Sequence, residues 1–431
     1  MSKTKQINWI NPLDLAHQIS ISDYKENWVF LYSGLNKQIK NSKSYLCLYP
    51  QKEIVADDFC ELEKNLTSQY FGYLAYDLKN QLENLNDGEK SFIDLPNLWV
   101  INFGLVIEFD HDKKITSVIT RSGFRHDAAI QKIINSDTGL PHHIKRLAMT
   151  INSNFTKSEY LKKVKTIQTK IENGEIYQAN LTRKFFGEFQ NKPKNPFEIF
   201  LKLNYESPAN YSSFLKLSEN YIISSSPELF LKIDEQDKVL SSPIKGTAKK
   251  FKDKKLDQES QKNLQSSSKE QTENLMIVDL VRNDLSKYCL PNSVRAENIF
   301  KISSYKTLHH LSSDICGIKN PNSSNLDIVK SCFPAGSMTG VPKIKAMEIC
   351  QQLEKQNRGV YSGAIGFIGA KTCELSVVIR TLIIRENKFE FQVGGAITFD
   401  SDSQKEWQET INKAKGIAKT LGIKLQDLKK I

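Results

Sequence analysis

The sequence predicts an α+β fold with antiparallel sheets, in which strands come in hairpin-like bunches between amphipathic helices. Apolar runs rich in Tyr, Phe, Val and Ile, such as 28–34 and 98–109, are bounded by polar, Gly or Pro residues, which is typical of strands. The strict alternation of strands and helices expected of a doubly wound sheet does not occur. The 431 residues, 39% of them hydrophobic, are enough for two or three domains or one large intertwined domain.

The N-terminal part of the chain is predicted to consist of strands with few helices. Its apolar runs are 28–34, 45–50, 71–78 and 98–109. A polar stretch with Gly and Pro follows at 136–157, and stretches of this composition are typical of linkers. It predicts a boundary between an N-terminal region, 1–140, and a second region, 154–420.

A helix is predicted directly after this boundary. Thr156 and Glu159 have the spacing of a capping box, and Gly174 stands where a C-cap glycine belongs. Between Glu159 and Gly174, apolar residues recur at helical intervals. Further amphipathic helices are predicted near 269–284, 343–352 and 403–421, with strand-like runs such as GAIGFIG, LSVVIRTLII and FEFQVGGAITF between them.

The net charge of +11, from 60 Lys and Arg against 49 Asp and Glu, raises the question of nucleic-acid binding. Only nine of the basic residues are Arg, and Lys is scattered along nearly every segment. Phosphate-binding surfaces instead cluster Arg and Lys on one element. The one dense basic run, 249–255, also contains Asp253. A nucleic-acid-binding protein is therefore only an alternative from a different class, and no nucleic-acid partner is expected.

The seven cysteines lie far apart and include no C-x-x-C pair, so the sequence predicts neither a disulfide framework nor a zinc site. Such cysteine usage fits a reducing compartment. The first residues have no apolar core of the signal-peptide type, and the most apolar stretch, 98–109, is interrupted by Asn102 and Glu108. The expectation is a cytoplasmic protein without a membrane partner.

Two predicted helices carry carboxylate pairs. Glu270 and Glu273 are three residues apart on one helix, and Glu406 and Glu409 repeat that spacing on another, with Lys413 one turn further on the same face. Four carboxylates on two helices are suitable ligands for Mg²⁺, which prefers oxygen. Because Glu is common on solvated helix faces, the pattern alone favours ordinary surface residues over a metal site.

A hairpin is predicted from the runs 221–234 and 238–247. If its turn is centred between the two runs, Glu228 and Lys245 face each other, with Cβ atoms roughly 5 Å apart. Such a pair is usually a simple ion pair, and Pro227 can disturb the register. Both residues nevertheless lie among small residues, in SSSPE and SPIKGT, which leave their head groups accessible.

Three stretches are rich in glycine: PAGSMTGVPK at 334–343, YSGAIG at 361–366 and VGGAITF at 393–399. The first ends where a helix begins, so its backbone N–H groups are placed to receive an anion. The other two indicate strands in which glycine allows another group to approach the backbone closely. Ordinary turn-forming glycines explain each stretch nearly as well.

Taken together, these stretches resemble the chorismate-binding enzyme family, which includes anthranilate synthases, aminodeoxychorismate synthases, and isochorismate and salicylate synthases. The resemblance covers almost all of the C-terminal region and is looser in the N-terminal one, where it rests on FLYSG and FGYLAYDL. The stretches that carry it, in order along the chain, are SSPELFL, PIKGTA, ENLMIVDLVRND, HHLSSDICG, CFPAGSMTGVPKIKAMEI, YSGAIGF, VIRTL, VGGAITFDSD and EWQET.

The resemblance implies an anthranilate-synthase-type fold: two packed antiparallel sheets flanked by helices, with the active site in the C-terminal region. It implies Mg²⁺ held by Glu273 and Glu409, which would clamp the ring carboxylate of chorismate. Glu270 and Glu406 would assist through water, and His310 matches a catalytic histidine beside the ring. The other substrate-binding positions that it implies are Gln178, Thr339, Tyr361, Arg380, Gly394, Gly395 and Lys413.

Two positions favour one branch of the family. Members that add water are similar but carry a general-base lysine where this chain has Gln178. Anthranilate synthases typically have PIAGT, whereas this chain has PIKGT, and Lys245 matches a covalent nucleophile of aminodeoxychorismate synthases. The resemblance therefore implies an enzyme of the aminotransferase class that aminates chorismate for p-aminobenzoate and folate synthesis, with Lys245 as nucleophile and Glu228 as acid. Anthranilate synthase is the runner-up.

The resemblance also implies a partner. No cysteine of this chain lies in a nucleophile elbow of the glutaminase type, so ammonia would come from a separate glutamine amidotransferase subunit. The N-terminal region of anthranilate synthases holds a tryptophan site, which Ser33 and 207–211 match only in part. Feedback inhibition is therefore not expected, and a structural tryptophan is left open.

Overall fold

The computed structural model describes residues 3–34, 42–86, 88–121, 148–305 and 308–431. In these residues the chain forms helices and strands that are numbered here in chain order. The helices are α1 (Pro12–Ile21), α2 (Cys60–Asn65), α3 (Lys79–Glu83), α4 (Lys157–Glu172), α5 (Pro196–Glu206), α6 (Lys254–Ser266), α7 (Ser268–Ser286), α8 (Asn325–Cys332), α9 (Lys343–Glu354), α10 (Ser403–Leu421) and α11 (Leu425–Lys430).

The named strands have between 2 and 14 residues, and β3 and β5 are the longest. They are β1 (Lys3–Asn8), β2 (Trp28–Tyr32), β3 (Lys43–Ala56), β4 (Tyr70–Leu74), β5 (Leu98–Asp110), β6 (Ile115–Thr120), β7 (Asn152–Ser153), β8 (Gln178–Glu188), β9 (Tyr211–Leu217), β10 (Asn220–Ser226), β11 (Leu229–Ile233), β12 (Lys238–Ser242), β13 (Ile244–Lys249), β14 (Arg295–Ser304), β15 (Leu308–Ile318), β16 (Gly340–Val341), β17 (Ala364–Ile368), β18 (Cys373–Val377), β19 (Thr381–Arg385) and β20 (Lys388–Ile397).

The named strands pair antiparallel in one hydrogen-bonded network that folds back on itself. One half runs through β15, β12, β11, β18, β17 and β4, and the other through β2, β9, β10, β19, β20 and β8. The long pair β3–β5 joins the halves, since β5 pairs with β4 and β3 pairs with β2, and a register shift between Pro50 and Lys52 accompanies the change of direction. Strands of both halves share one core, to which Val29, Phe71, Ile222 and Phe367 belong.

Helices cover the outer faces, which confirms the α+β prediction. On the β8–β20 side, α5 contributes Phe197 and Phe200 and α10 contributes Ile411 to a second core. On the β11–β18 side, a third core forms around Ile277 of α7 and Ile328 of α8. No helix in the described parts of the chain is long and apolar enough to cross a membrane.

The predicted helices are confirmed. In α4, the Thr156 side chain accepts from the Glu159 backbone, and the Glu159 side chain accepts from the Thr156 backbone, which makes the capping box. Gly174 follows the helix with a φ of +74°, which favours glycine. The helices predicted near 269–284, 343–352 and 403–421 are α7, α9 and α10.

The two regions predicted from the sequence share the same sheet. Strand β4 of region 1–140 pairs with β17 of region 154–420, and β2 pairs with β9. Much of the predicted boundary at 136–157 lies outside the described residues. The division into two regions stays a prediction.

Candidate active site

Lys245 lies on β13 and is buried, with 8% of its surface exposed. Its Nζ donates a hydrogen bond to the Ser337 carbonyl at 3.3 Å. Burial lowers the pKa of Lys245 below its usual 10.5, although the carboxylates of Glu273 and Glu228 act to raise it. The protein interior therefore favours the neutral amine, the form in which a lysine is a nucleophile.

Glu228 lies in the short break between β10 and β11 and is 4% exposed. Burial raises the pKa of this carboxyl above its usual 4.5, against the lowering effects of the Ser337 hydroxyl and of Lys245. The pKa shifts of Glu228 and Lys245 thus both favour an uncharged side chain. A carboxyl and an amine that interact electrostatically are therefore both biased towards their neutral forms, which are the forms that act as proton donor and as nucleophile.

The register predicted for the hairpin is wrong, although its two residues do come close. Strand β11 pairs with β12 so that Leu229 lies opposite Ser242, and Lys245 belongs to β13, which pairs with β15 instead. The ladder breaks at Pro243, which has no N–H to donate, and a register shift follows Leu229. Glu228 and Lys245 are therefore neighbours across a strand break rather than a cross-strand pair.

Two of the four predicted metal ligands lie on α7 and two on α10, and Glu273 and Glu409 interact electrostatically from one helix to the other. Burial raises the pKa of Glu273, and the negative charges of Glu270 and Glu409 add to this rise. Burial and Glu409 likewise raise the pKa of Glu406. For Glu409, burial acts to raise the pKa, but Lys413 and other lysines outweigh it and lower the pKa. The interaction between Glu273 and Glu409 shows that α7 and α10 meet at one site, and Glu406 joins it through Glu409.

Two glycines leave room for these carboxylates. A Cβ at Gly395 would lie 3.1 Å from Glu406 Oε2 and 3.8 Å from Glu409 Oε1. A Cβ at Gly246, where φ is +86°, would lie 2.8 Å from Glu270 Oε2. Oxygen donors gathered against bare backbone fit the chemistry of Mg²⁺. Within the described residues, however, no three His, Cys, Asp or Glu side chains converge as a preformed metal site.

Lysines act as counterions for these carboxylates. Lys413 Nζ lies 2.7 Å from Glu409 Oε1 and also donates to the Gly394 carbonyl at 2.6 Å. Lys269 Nζ lies 3.9 Å from Glu273 Oε1. A divalent cation bound by Glu409 would therefore compete with Lys413 for the same oxygen.

His310 and Arg380 form a third part of the site. The imidazole of His310 is 2% exposed, its Nδ1 lies 2.9 Å from the Thr247 hydroxyl, and its Nε2 lies 3.5 Å from an Arg380 nitrogen. Burial, with a further contribution from Arg380, lowers the pKa of His310 to about 3. His310 is therefore neutral at physiological pH. Arg380 in turn interacts electrostatically with Glu228, which links the two groups.

Gln178 and Thr339 lie where β8 meets the glycine-rich segment 334–343. Val341 pairs with Gln178 in the ladder, and the Asn180 amide donates to the Thr339 carbonyl at 2.8 Å. Gln178 is fully buried, and neither atom of its amide has a hydrogen-bond partner within the described residues. Ser337, which accepts from Lys245, is only two residues before Thr339, so this segment belongs to the same site.

A buried ion pair holds this segment in place. Arg358 donates to both oxygens of Glu354 at 2.8 Å, to the Met338 carbonyl at 2.8 Å and to the Asn180 carbonyl at 2.7 Å. Glu354 also accepts from the Thr182 amide at 2.8 Å. The pair therefore fixes β8 relative to the backbone beside Thr339.

The fold brings the predicted residues together. Burial raises the pKa of Tyr361, with Glu228 among the charges that add to the rise, so this tyrosine belongs to the Glu228 neighbourhood. Sequence reasoning missed Ser337, Thr247 and Lys269 as partners of the site. The first two lie inside the motifs PAGSMTG and PIKGT, which could have indicated them, whereas nothing in the sequence indicated Lys269.

The segments that match the tryptophan site of anthranilate synthases also meet. Ser33 and the residues Asn210 and Tyr211 line a cavity of about 30 Å³. This volume is far below the roughly 300–1,000 Å³ typical of small-molecule sites. The expectation that no regulatory tryptophan binds stays a prediction.

Comparison with known proteins identifies the family. A model described as chorismate binding enzyme matches residues 16–419. The chain belongs to the chorismate-binding enzyme family. It is 33% identical over 348 residues to aminodeoxychorismate synthase component 1 of Salmonella typhimurium, covering 80% of this chain and 75% of the relative. It is also 31% identical over 370 residues to anthranilate synthase component 1 of Aquifex aeolicus, covering 82% and 74%.

The family fold is confirmed by a solved structure. Anthranilate synthase component I from Streptococcus pneumoniae superposes with a TM-score of 0.78 at 26% identity, covering 89% of this chain and 93% of that one. The prediction of an anthranilate-synthase-type fold is therefore correct. Since relatives of both branches are similarly close, overall identity does not separate the two reactions, and individual residues must.

Proposed function

We propose that this member of the chorismate-binding enzyme family is an aminodeoxychorismate synthase component I. It would convert chorismate and ammonia to 4-amino-4-deoxychorismate and water, for p-aminobenzoate and folate synthesis. The observation that carries the proposal is Lys245, a buried lysine of lowered pKa beside a carboxyl of raised pKa. An enzyme that binds chorismate without forming a covalent bond to it requires no neutral amine at the position of Lys245.

The proposed chemistry uses Lys245 twice. Its neutral Nζ attacks C2 of the ring while the C4 hydroxyl leaves as water, with the proton supplied by Glu228. Ammonia then attacks C4, and the bond between C2 and Nζ breaks so that Lys245 leaves as the neutral amine. The new C4 ammonium returns a proton to Glu228, and the enolpyruvyl group is retained. No redox step is needed. Burial favours the starting forms of both residues, because it opposes charge on each.

The other residues would bind and orient the substrate. Glu273 and Glu409, with Glu270 and Glu406, would hold Mg²⁺, which when bound supplies positive charge for the ring carboxylate. The remaining assigned groups divide by chemistry: Arg380 and Lys413 offer cations, Gly394, Gly395 and Thr339 offer backbone groups, and His310, Tyr361 and Gln178 offer neutral polar side chains.

The substrate ammonia would come from a glutamine amidotransferase. The relatives named component 1 imply a second component in those proteins. A separate subunit of that kind would hydrolyse glutamine and deliver ammonia to this chain.

The decisive experiment incubates the purified chain with chorismate, ammonium and Mg²⁺ and follows product mass and pyruvate together. An aminated product that retains its enolpyruvyl group, without pyruvate, is expected. Pyruvate with a fluorescent aminobenzoate would instead identify an anthranilate synthase, the second candidate, which the Aquifex relative favours.

The role of Lys245 needs its own test. Without ammonium, intact-protein mass spectrometry after incubation with chorismate is expected to show an adduct on wild-type protein and none on Lys245→Ala. Lys255→Ala, which removes a lysine on the exposed α6, is the matched control and should form the adduct. Unchanged ammonium-dependent turnover of Lys245→Ala would show that the covalent route is wrong.

A further inference from the structure

The 333–342 loop, which connects α8 to α9, carries a backbone group that contacts the proposed nucleophile. The Ser337 carbonyl of this loop accepts the hydrogen bond from Lys245 Nζ at 3.3 Å. The loop begins after Cys332, the last residue of α8, and ends before Lys343, the first residue of α9. A shift of this loop therefore moves the hydrogen-bond acceptor of Lys245.

Lys343 joins the two ends of the 333–342 loop. Its Nζ donates a hydrogen bond to the Cys332 carbonyl at 3.0 Å, so a single side chain closes the loop at its base. The last carbonyls of a helix have no partner within the helix, and the partial negative charge there favours a cation. Lys343 is 8% exposed, so little water competes for its hydrogen bonds.

Asp284 attaches the closed loop to α7. One of its carboxylate oxygens accepts from Lys343 Nζ at 2.6 Å, and the residue is 3% exposed. The other oxygen lies 3.7 Å from Nζ of Lys287, whose side chain is half exposed. Separating Asp284 from Lys343 would leave the ammonium of Lys343 buried without this carboxylate, which is costly. The ion pair therefore fixes Lys343 on α7.

One face of α7 extends from the predicted metal ligands to this ion pair. Four residues three or four positions apart lie on that face, and they are Glu273, Ile277, Leu280 and Asp284. Between its two ends the loop packs directly on the helix, since a Cβ at Gly336 would lie 2.8 Å from Leu280 and 3.8 Å from Ile277. The position of α7 thus determines the positions of both Glu273 and the loop.

The later half of the loop has its own attachments. Arg358 donates to the Met338 carbonyl at 2.8 Å, and the Asn180 amide donates to the Thr339 carbonyl at 2.8 Å. Loss of Lys343 should therefore displace the earlier half, up to Ser337, more than the predicted substrate-binding residue Thr339. Such a change affects the placement of the nucleophile more than the binding of substrate.

We propose that Lys343, held by Asp284, is a positioning residue for the reaction. It fixes the 333–342 loop on α7, and through the Ser337 carbonyl it sets where Lys245 Nζ lies relative to Glu273 and the substrate. The proposal rests on the proposed function, because only a covalent route depends on the placement of that amine. A displacement of about 1 Å by a residue far from the chemistry can cost about a hundredfold in rate.

The test compares two buried lysines with similar surroundings. Lys343→Met removes the ion pair and the bond that closes the loop. Lys319→Met is the matched control, because Lys319 is also 8% exposed and its Nζ lies 3.0 Å from the Asp237 carboxylate and 3.2 Å from the Ser323 carbonyl. Asp284→Asn, which keeps the size of the side chain and removes its charge, replaces Lys343→Met if that variant does not fold.

Two rates are measured well below the thermal midpoint of every variant: ammonium-dependent turnover with Mg²⁺, and formation of the chorismate adduct without ammonium. Lys343→Met is expected to lower kcat and the rate of adduct formation by about tenfold to a hundredfold, while KM for chorismate changes by less than about threefold. Asp284→Asn should act in the same direction with a smaller effect. Lys319→Met should lower the thermal midpoint but keep the wild-type kcat and adduct rate.

Three results would overturn the inference: wild-type kcat and adduct rate in the folded variant of the pair, an equal loss of both rates in Lys319→Met, or a raised KM with unchanged kcat. The first would show that Lys343 and Asp284 only stabilise the fold. Absence of ammonium-dependent amination in the wild type would instead refute the proposed function, whatever the variants do. The two failures are thereby distinguishable.

Discussion

The buried pair of Arg358 and Glu354 allows a quantitative prediction about what holds the site together. Replacing Arg358 by Met leaves the Glu354 carboxylate buried without its counterion, and breaking such a pair costs about 3–5 kcal/mol. It also removes the shorter of two hydrogen bonds to each of the Met338 and Asn180 carbonyls, which keep only the Asn180 side chain at 3.3 Å and Cys350 Sγ at 3.5 Å. We therefore expect Arg358→Met to lie at the upper end of that range.

The corresponding change in thermal midpoint follows from chain length. For 431 residues the entropy of unfolding is about 0.9 kcal/mol per kelvin, so about 4–5 kcal/mol lowers the midpoint by roughly 4–6 °C. Differential scanning calorimetry measures this shift. Arg295→Met is the matched control, because its pair with Glu297 is exposed at the surface, and it should move the midpoint by less than about 1 °C.

A double variant tests which interaction matters. In Glu354→Leu with Arg358→Met the uncompensated charge is gone, yet the carbonyls of Met338 and Asn180 each lose a hydrogen bond from Arg358, and the Thr182 amide loses its bond to Glu354. Part of the destabilisation should therefore remain. If Arg358→Met shifted the midpoint by no more than Arg295→Met does, the reasoning that this pair anchors β8 to the site would be refuted.

Three further predictions concern the site. Mg²⁺ should raise the thermal midpoint of the wild type, and the variants Glu273→Gln and Glu409→Gln should lose most of this rise. The control variant Glu61→Gln, which changes an exposed carboxylate, should keep the rise. Equal rises in all four proteins would place the metal elsewhere. Because the pKa of His310 falls from 6.5 to about 3, the folded state binds fewer protons, and stability is lost as pH falls from 6.5 towards 3, by up to about 1.4 kcal/mol per pH unit. Urea unfolding near pH 7 and near pH 5 should show this loss in wild type and a smaller one in His310→Gln; equal losses would contradict it. At constant free ammonia, kcat/KM should pass through a maximum with pH, because Lys245 must be neutral and Glu228 protonated in the same enzyme molecule. Lys245→Arg, which stays charged, should be inactive at every pH, and a flat profile would argue against these two neutral groups.

Local features could be predicted from the sequence because their causes are local. The capping box of Thr156 and Glu159 satisfies backbone groups three residues away, and the apolar spacing of α7 and α10 requires only helical periodicity. These helices carry the four carboxylates, so the sequence alone is enough to locate the helix faces on which the carboxylates lie. The order of the motifs along the chain then indicates the family and, through it, the fold.

What the sequence could not supply depends on contacts between distant residues. The hairpin register failed because Pro243 interrupts the ladder and Lys245 joins β15 instead of β11, a choice set by tertiary pairing. One counterion of the carboxylates was also missed, since Lys269 is one of many surface lysines until the fold brings it near Glu273. Nor does composition indicate that burial shifts the pKa of Glu228 and that of Lys245 in opposite directions.

The N-terminal and C-terminal regions of the chain share one sheet, and this limits how the protein can change by recombination. Strands β9 and β17 each have one neighbour from the first 120 residues, β2 and β4. A gene fragment that encoded only the later residues would produce a protein with two open sheet edges and an uncovered core face, which promotes aggregation. Recombination can therefore exchange helices and loops at the edge of the sheet, but the N-terminal and C-terminal regions must be inherited as one unit.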